Sequence, residues 1–154
     1  MATRNIIKED DDRLFKTSRP VEKFDTKLHC LLDDMAETMY KAEGVGLAAV
    51  QVGILRRAVV IDCGDGLIEL VNPKIVGQSG HQEEVEGCLS FPGEYVVTSR
   101  PNSVVVEALD RFGRPFRVKG EGLKARAFCH EIDHLDGVVF KDKAIRSVSA
   151  EDIE

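Results

Sequence analysis

Toward its C-terminal end the chain runs Leu123-Lys124-Ala125-Arg126-Ala127-Phe128-Cys129-His130-Glu131-Ile132-Asp133-His134-Leu135-Asp136-Gly137. The pattern is helical from about Leu123 to Leu135, and Gly137 stands where a helix ends. Inside this predicted helix lies His130-Glu131-Ile132-Asp133-His134, an HExxH pattern. Spacing i, i+4 puts both imidazoles on one face, one turn apart, where they can grip one metal ion. Glu131 flanks that face and can carry a proton from water to a leaving amine. Leu123 and Ala127, respectively two turns and one turn before His130, make the ligand face continuous with an apolar, core-directed one. The bland alternative is a solvated, charged helix that matches five letters by chance.

A second helix is predicted over about 25–43. Asp25 is its N-cap, Leu28, Leu31, Leu32, Met35 and Met39 form its apolar stripe, and Gly44 takes the C′ position. Between the helices the chain is strand-like in short pieces: Arg57–Cys63, Leu67–Val71, Lys74–Gly77, Val96–Thr98, Ser103–Leu109 and Pro115–Val118. Asn72-Pro73 breaks one run, residues 78–87 are polar and acidic, and Val138–Phe140 is a further strand candidate. Helix, many short strands, helix is the order of an α+β fold with antiparallel sheets. One domain is expected over residues 1–154, with 1–24 a wrapped N-terminal arm and 142–154 a short polar tail in which Ser149-Ala150-Glu151-Asp152 starts a helix.

Twenty-one basic against 27 acidic residues give a net charge of −6, which argues against general binding to nucleic acid or anionic membrane. No run of 18 apolar residues exists, and the first 20 residues carry charges rather than an apolar signal core. A cytoplasmic protein with four reduced cysteines is the expectation.

Two histidines need a third protein ligand, with water in the fourth position. Leu135–Phe140 begins like the metzincin extension, but Phe140 stands where the third His belongs. Glu151 and Glu154 lie in the last four residues, a poor place for a rigid ligand. The upstream candidates are Cys88, His81, Cys63, His29 and Cys30. Cys88, in the loop-like Glu86-Gly87-Cys88-Leu89-Ser90, is the best of these, although a lone Cys is more often a small buried hydrophobe. Cys63 and Cys30 fit that bland description. His81 faces solvent in a polar loop, and His29 sits on a helix flank. Cys129 is turned about 100° from His130 on the helix and cannot easily share its metal.

Gly44-Val45-Gly46-Leu47-Ala48-Ala49 satisfies GxGxxA, but a helix precedes it and an extended piece follows, the reverse of a dinucleotide fingerprint. Gln51 is the only polar side chain between Glu43 and Arg56. A buried amide needs a partner, and a substrate carbonyl is one candidate.

Gly44–Gln51, Glu86–Ser90 and His130–Gly137 together resemble the peptide deformylase family's GxGLAAxQ, EGCLS and HExDHLxG motifs, in the family's order. Asp12-Arg13-Leu14 and Pro20-Val21 resemble its N-terminal arm. The resemblance implies antiparallel α+β structure wrapped around a central HExxH helix. It implies that Cys88, His130 and His134 bind one divalent metal, Fe²⁺ in the cell, with Zn²⁺, Ni²⁺ or Co²⁺ possible in a purified sample. Glu131 is then the general base and acid. Gln51 and the Leu89 N–H face the formyl oxygen, Val45 and Gly46 contact the peptide, and Gly87 lies beside the formyl pocket. The implied reaction removes the N-formyl group from the initiator Met of new proteins and releases formate. The partners are N-formylmethionyl nascent peptides and, transiently, the ribosome, with the enzyme a monomer. Two departures stand out. Cys129 replaces a common Gln before the first His. Nothing after Glu154 matches the longer C-terminal helix of enterobacterial members, so docking through that helix is not expected. A zincin-type metallopeptidase using the same HExxH is the alternative.

Overall fold

The fold, a computed structural model, describes residues 2–148. Helix α1 spans Thr26–Lys41, and Asp25 caps it by accepting from the Leu28 N–H at 3.1 Å. Its C-terminus closes with paired reverse bonds, Glu43 N to Tyr40 O and Gly44 N to Met39 O. Glu43, at φ 59°, takes the left-handed position predicted for Gly44. Gly44 has a different requirement: a β-carbon there would meet Leu89 Cδ1 at 2.7 Å.

Strands follow as β1 (Gly46–Ala48), β2 (Ala58–Ile61), β3 (Ile68–Ser79), β4 (Gln82–Cys88), β5 (Phe91–Arg100), β6 (Ser103–Leu109) and β7 (Pro115–Glu121). Helix α2 (Leu123–Leu135) and β8 (Ala144–Val148) complete the described chain. The five-stranded sheet runs β1-β2-β3-β6-β7 and the three-stranded sheet β4-β5-β8, every pairing antiparallel.

Strands β1 and β2 of the five-stranded sheet are buried on both faces. Successive residues of β2 point to opposite faces. Val59 and Ile61 join Phe128, Ile132 and Leu135 of α2 in one core, while Ala58 and Val60 join Leu32, Met35 and Met39 of α1 in another. That explains why Ala58–Ile61 is apolar without alternation. A third cluster packs Leu14 of the arm and Phe140 against Phe91 and Val96 of the small sheet.

The sequence divides β3 at Asn72-Pro73, but the strand continues through a register shift between Val71 and Lys74. Asn72 sits there at φ 51° and bonds both the N–H and the C=O of Val21, tying the arm to the sheet. In the polar, acidic stretch 78–87, Gly80-His81 make the β3–β4 turn and most of the rest is β4, an edge strand whose outward carboxylates are solvated. Val138–Phe140 is not a strand; Phe140–Lys143 forms a 3-10 turn capped by Asp142. Part of the predicted polar tail is β8, paired with β5. The helix start expected at Ser149–Asp152 lies outside the described residues.

Candidate active site

Three separate segments converge. Strand β4 ends at Cys88, the middle of α2 supplies His130, Glu131 and His134, and the 3-10 turn Ala49–Val52 supplies Gln51. Cys88 Sγ lies 3.4 Å from His134 Nε2, and the donor atoms of Cys88, His130 and His134 all fall within 4.8 Å of one another. Both histidines and Glu131 are buried.

Each ring is held differently. His130 Nδ1 contacts Glu86 Oε1 at 2.7 Å, which leaves Nε2 for the centre. His134 is fully enclosed, yet its Nδ1 has no protein partner among the described residues. Burial holds His134 well below the usual histidine range. Burial would depress His130 too, but Glu131, Cys88 and Glu86 outweigh it and raise it well above that range. Burial also pushes the Glu131 carboxyl up to about 7, with His130 and Arg100 opposing and Glu86 and Asp133 reinforcing. Glu131 Oε1 is buried without a partner among the described residues.

Gln51 Oε1 accepts from the Ala48 N–H at 2.9 Å, so the amide nitrogen is turned toward Cys88 Sγ, 3.7 Å away, and the Ser90 hydroxyl, 3.2 Å away. The partner sought for this amide is therefore Ala48 and Ser90, before any substrate enters. A cavity of about 470 Å³ opens over the site, lined by Val45, Gly46, Gly87, Leu89, Tyr95 and Leu123 among others. A β-carbon on Gly46 would lie 2.7 Å from Glu131 Oε2, and one on Gly87 would lie 3.0 Å from the Tyr95 ring.

Every site residue expected from the sequence falls on or beside this cavity. The other ligand candidates do not. His81 is exposed on the β3–β4 turn, His29 bonds the Arg111 carbonyl, and Cys63 lines a separate cavity with Asp65 and Lys124. Cys30 is exposed rather than on the apolar stripe of α1. Leu123 is 43% exposed and walls the cavity instead of the core. Cys129 is buried with the α2 core, and burial raises its thiol to about 11, which disfavours the reactive thiolate. The sequence reading missed Glu86, Arg100 and Ser90 as supports. Glu86 and Cys88 lie two residues apart on a strand, and so do Thr98 and Arg100; that spacing was the available signal.

The donor set suits a divalent cation on its chemistry: a thiol and two imidazoles, one ring fixed through its other nitrogen by a carboxylate, around buried polar atoms without partners.

The polypeptide deformylase family profile matches residues 3–150. The chain belongs to this family. A peptide deformylase of Caldicellulosiruptor bescii is 60% identical over 154 residues, 100% of this chain and 93% of that protein. One of Acetivibrio thermocellus is 56% identical over the same length, 91% of that protein. The crystal structure of a peptide deformylase from Ehrlichia chaffeensis in complex with actinonin aligns with a TM-score of 0.91 at 40% identity, covering 93% of this chain and 89% of that one. One from Legionella pneumophila gives a TM-score of 0.89 at 47% identity over 97% and 88%. Peptide deformylases are metal-dependent hydrolases that remove N-formyl groups from nascent peptides, and this chain is such an enzyme. The zincin-type alternative has no support: among the described residues, the group that lies beside the two histidines is upstream Cys88. No helix among the described residues is long and apolar enough to cross a membrane.

Proposed function

We propose that Cys88, His130 and His134 hold one divalent cation, Fe²⁺ in the cell, and that Glu131, Gln51 and Leu89 carry out deformylation of N-formylmethionyl peptides around it. The carrying observation is the convergence of the three donor atoms within 4.8 Å on the floor of a cavity. Soft sulfur with two imidazoles suits Fe²⁺, Co²⁺, Ni²⁺ and Zn²⁺ alike, so the preference for iron rests on the family resemblance. A bound cation supplies Lewis acidity toward the formyl carbonyl and toward water.

The chain's own groups do the rest. Glu131 takes a proton from the attacking water and delivers it to the departing amine, a role worth on the order of 10²–10⁴ in rate. Charge then builds on the formyl oxygen. Gln51 donates to it through Nε2, already aimed by the Ala48 bond, and the Leu89 N–H is the second donor. Val45 and Gly46 bind the peptide main chain. Gly46 and Gly87 leave a slot narrow enough for a formyl hydrogen and too narrow for an acetyl methyl. Leu89, Leu123 and Ala127 give apolar wall for an unbranched Met side chain.

The single catalytic domain includes the arm and β8, and both sheets wrap α2 as its central helix. The enzyme acts as a cytoplasmic monomer that meets nascent chains in transient contact with the ribosome. The test is formate release from formyl-Met-Ala-Ser by anaerobically purified protein, with metal analysis on the same sample. Stoichiometric iron and formate release are expected. Metal-loaded protein that cleaves an unblocked peptide and releases no formate overturns the reading.

A further inference from the structure

Arg100, at the end of β5, is 4% exposed and makes three ion contacts. Its Nε and one terminal nitrogen fork onto the two oxygens of Glu86, each at 3.0 Å. Its other terminal nitrogen reaches Asp133 Oδ2 at 2.7 Å. Thr98 Oγ1 donates to the same Glu86 oxygen as Nε. Glu86 Oε1, held in this way, meets His130 Nδ1. The guanidinium therefore joins β4, β5 and α2 at one point, one side chain removed from the proposed metal site. His134 has no such support, since its Nδ1 is without a protein partner among the described residues.

We propose that Arg100 is a positioning residue for the metal centre, fixing Glu86 in one rotamer and thereby aiming the His130 ring, while its bond to Asp133 fixes the turn of α2 that carries both histidines. The proposal rests on the Cys88–His130–His134 assignment. Geometry makes Arg the required residue. A planar fork can saturate a carboxylate and still present a third donor to a second carboxylate; an ammonium is a point charge that cannot span both. With the fork lost, Glu86 can leave its rotamer and His130 loses its second-nitrogen anchor. Changes to such outer partners of a metal-bound imidazole cost on the order of 10- to 100-fold in metal affinity or activity.

The experiment compares full-length wild type, Arg100→Lys and Asp133→Asn after loading with Co²⁺. Chelator competition gives the metal dissociation constant, the Co²⁺ electronic spectrum reports ligand geometry, and kcat and KM are measured on formyl-Met-Ala-Ser. Arg100→Lys is expected to weaken Co²⁺ binding by roughly 10- to 100-fold, to shift the cobalt bands and to lower kcat with little change in KM. Asp133→Asn, at a partly exposed prong, is expected to show a smaller effect in the same direction. If Arg100→Lys lowers the melting temperature while affinity, spectrum and kcat stay at wild-type values, Arg100 is structural only and the proposal fails. If Arg100→Lys does not fold, Asp133→Asn decides, and wild-type metal affinity with an unchanged spectrum there overturns the proposal. Wild-type protein that takes up no Co²⁺ refutes the metal-site assignment instead.

Discussion

A β-carbon on Gly46 would stand 2.7 Å from Glu131 Oε2 and 2.8 Å from its Cγ. Glu131 cannot swing clear, because it is buried and Cγ is as close as the carboxylate. Gly46→Ala is therefore expected to displace the proton-transfer group without removing a proposed metal ligand. A kcat lower by about 10²-fold, with metal content unchanged, is the expected result of steady-state kinetics and metal analysis. A variant with wild-type kcat would show that Glu131 tolerates the shift and that the glycine serves another purpose.

Gln51→Leu removes an amide bound to Ala48 and Ser90 and aimed past Cys88 Sγ. One lost donor of this kind costs about 10²–10³ in rate. Because the interaction strengthens as charge develops, kcat is expected to fall more than KM rises. An effect confined to KM assigns Gln51 to ground-state binding alone. The unpaired Ala48 N–H left behind also costs about 1–3 kcal/mol of stability, visible as a lower denaturation midpoint.

Cys88→Ala deletes the only sulfur in the three-donor set. Two imidazoles alone do not hold a cation firmly, so the variant is expected to lose its metal on dialysis and its turnover with it. Metal analysis that still finds one tightly held equivalent would point to a different third ligand.

The extent of legibility follows from what each residue answers to. α2 is readable end to end because Gly137, at φ 75°, and the His130/His134 spacing are both local signals. β6 is readable because its residues alternate between buried and half-buried. β4 is not, since an edge strand can carry three carboxylates in seven residues and still pair with β5 through its backbone. Asn72-Pro73 looks like a strand break because a bulge and a break share the same residues; only the Val21 bonds distinguish them. At the site, the proposed ligand types and the proposed base Glu131 are legible from chemistry and spacing, and Cys88 stands out among the upstream candidates. The choice became firm only with the family's motifs, because the distance between β4 and α2 is not written in either segment. Glu86 and Arg100 were missed for the same reason. The two-residue spacing to Cys88 and to Thr98 tells which strand face each shares, but nothing local says that a carboxylate and a guanidinium 14 residues apart will meet in one buried contact.

The pH dependence of activity follows from the burial of Glu131. As the base, it must be a carboxylate, so protonation inactivates it and kcat/KM falls as pH drops. Burial raises this carboxyl from 4.5 to about 7 when no cation is bound. A dication nearby favours the ionised form and pulls the value back down. The acid limb of kcat/KM in the metal-loaded enzyme is therefore expected below about 7, with slope one in a log plot. Glu131→Gln keeps the side chain's shape but cannot accept the proton. It is expected to retain metal, to lose roughly 10²–10⁴ in kcat, and to lose that limb from whatever activity remains. Residual activity in Glu131→Gln that still falls with the wild-type limb would assign the titration to another group.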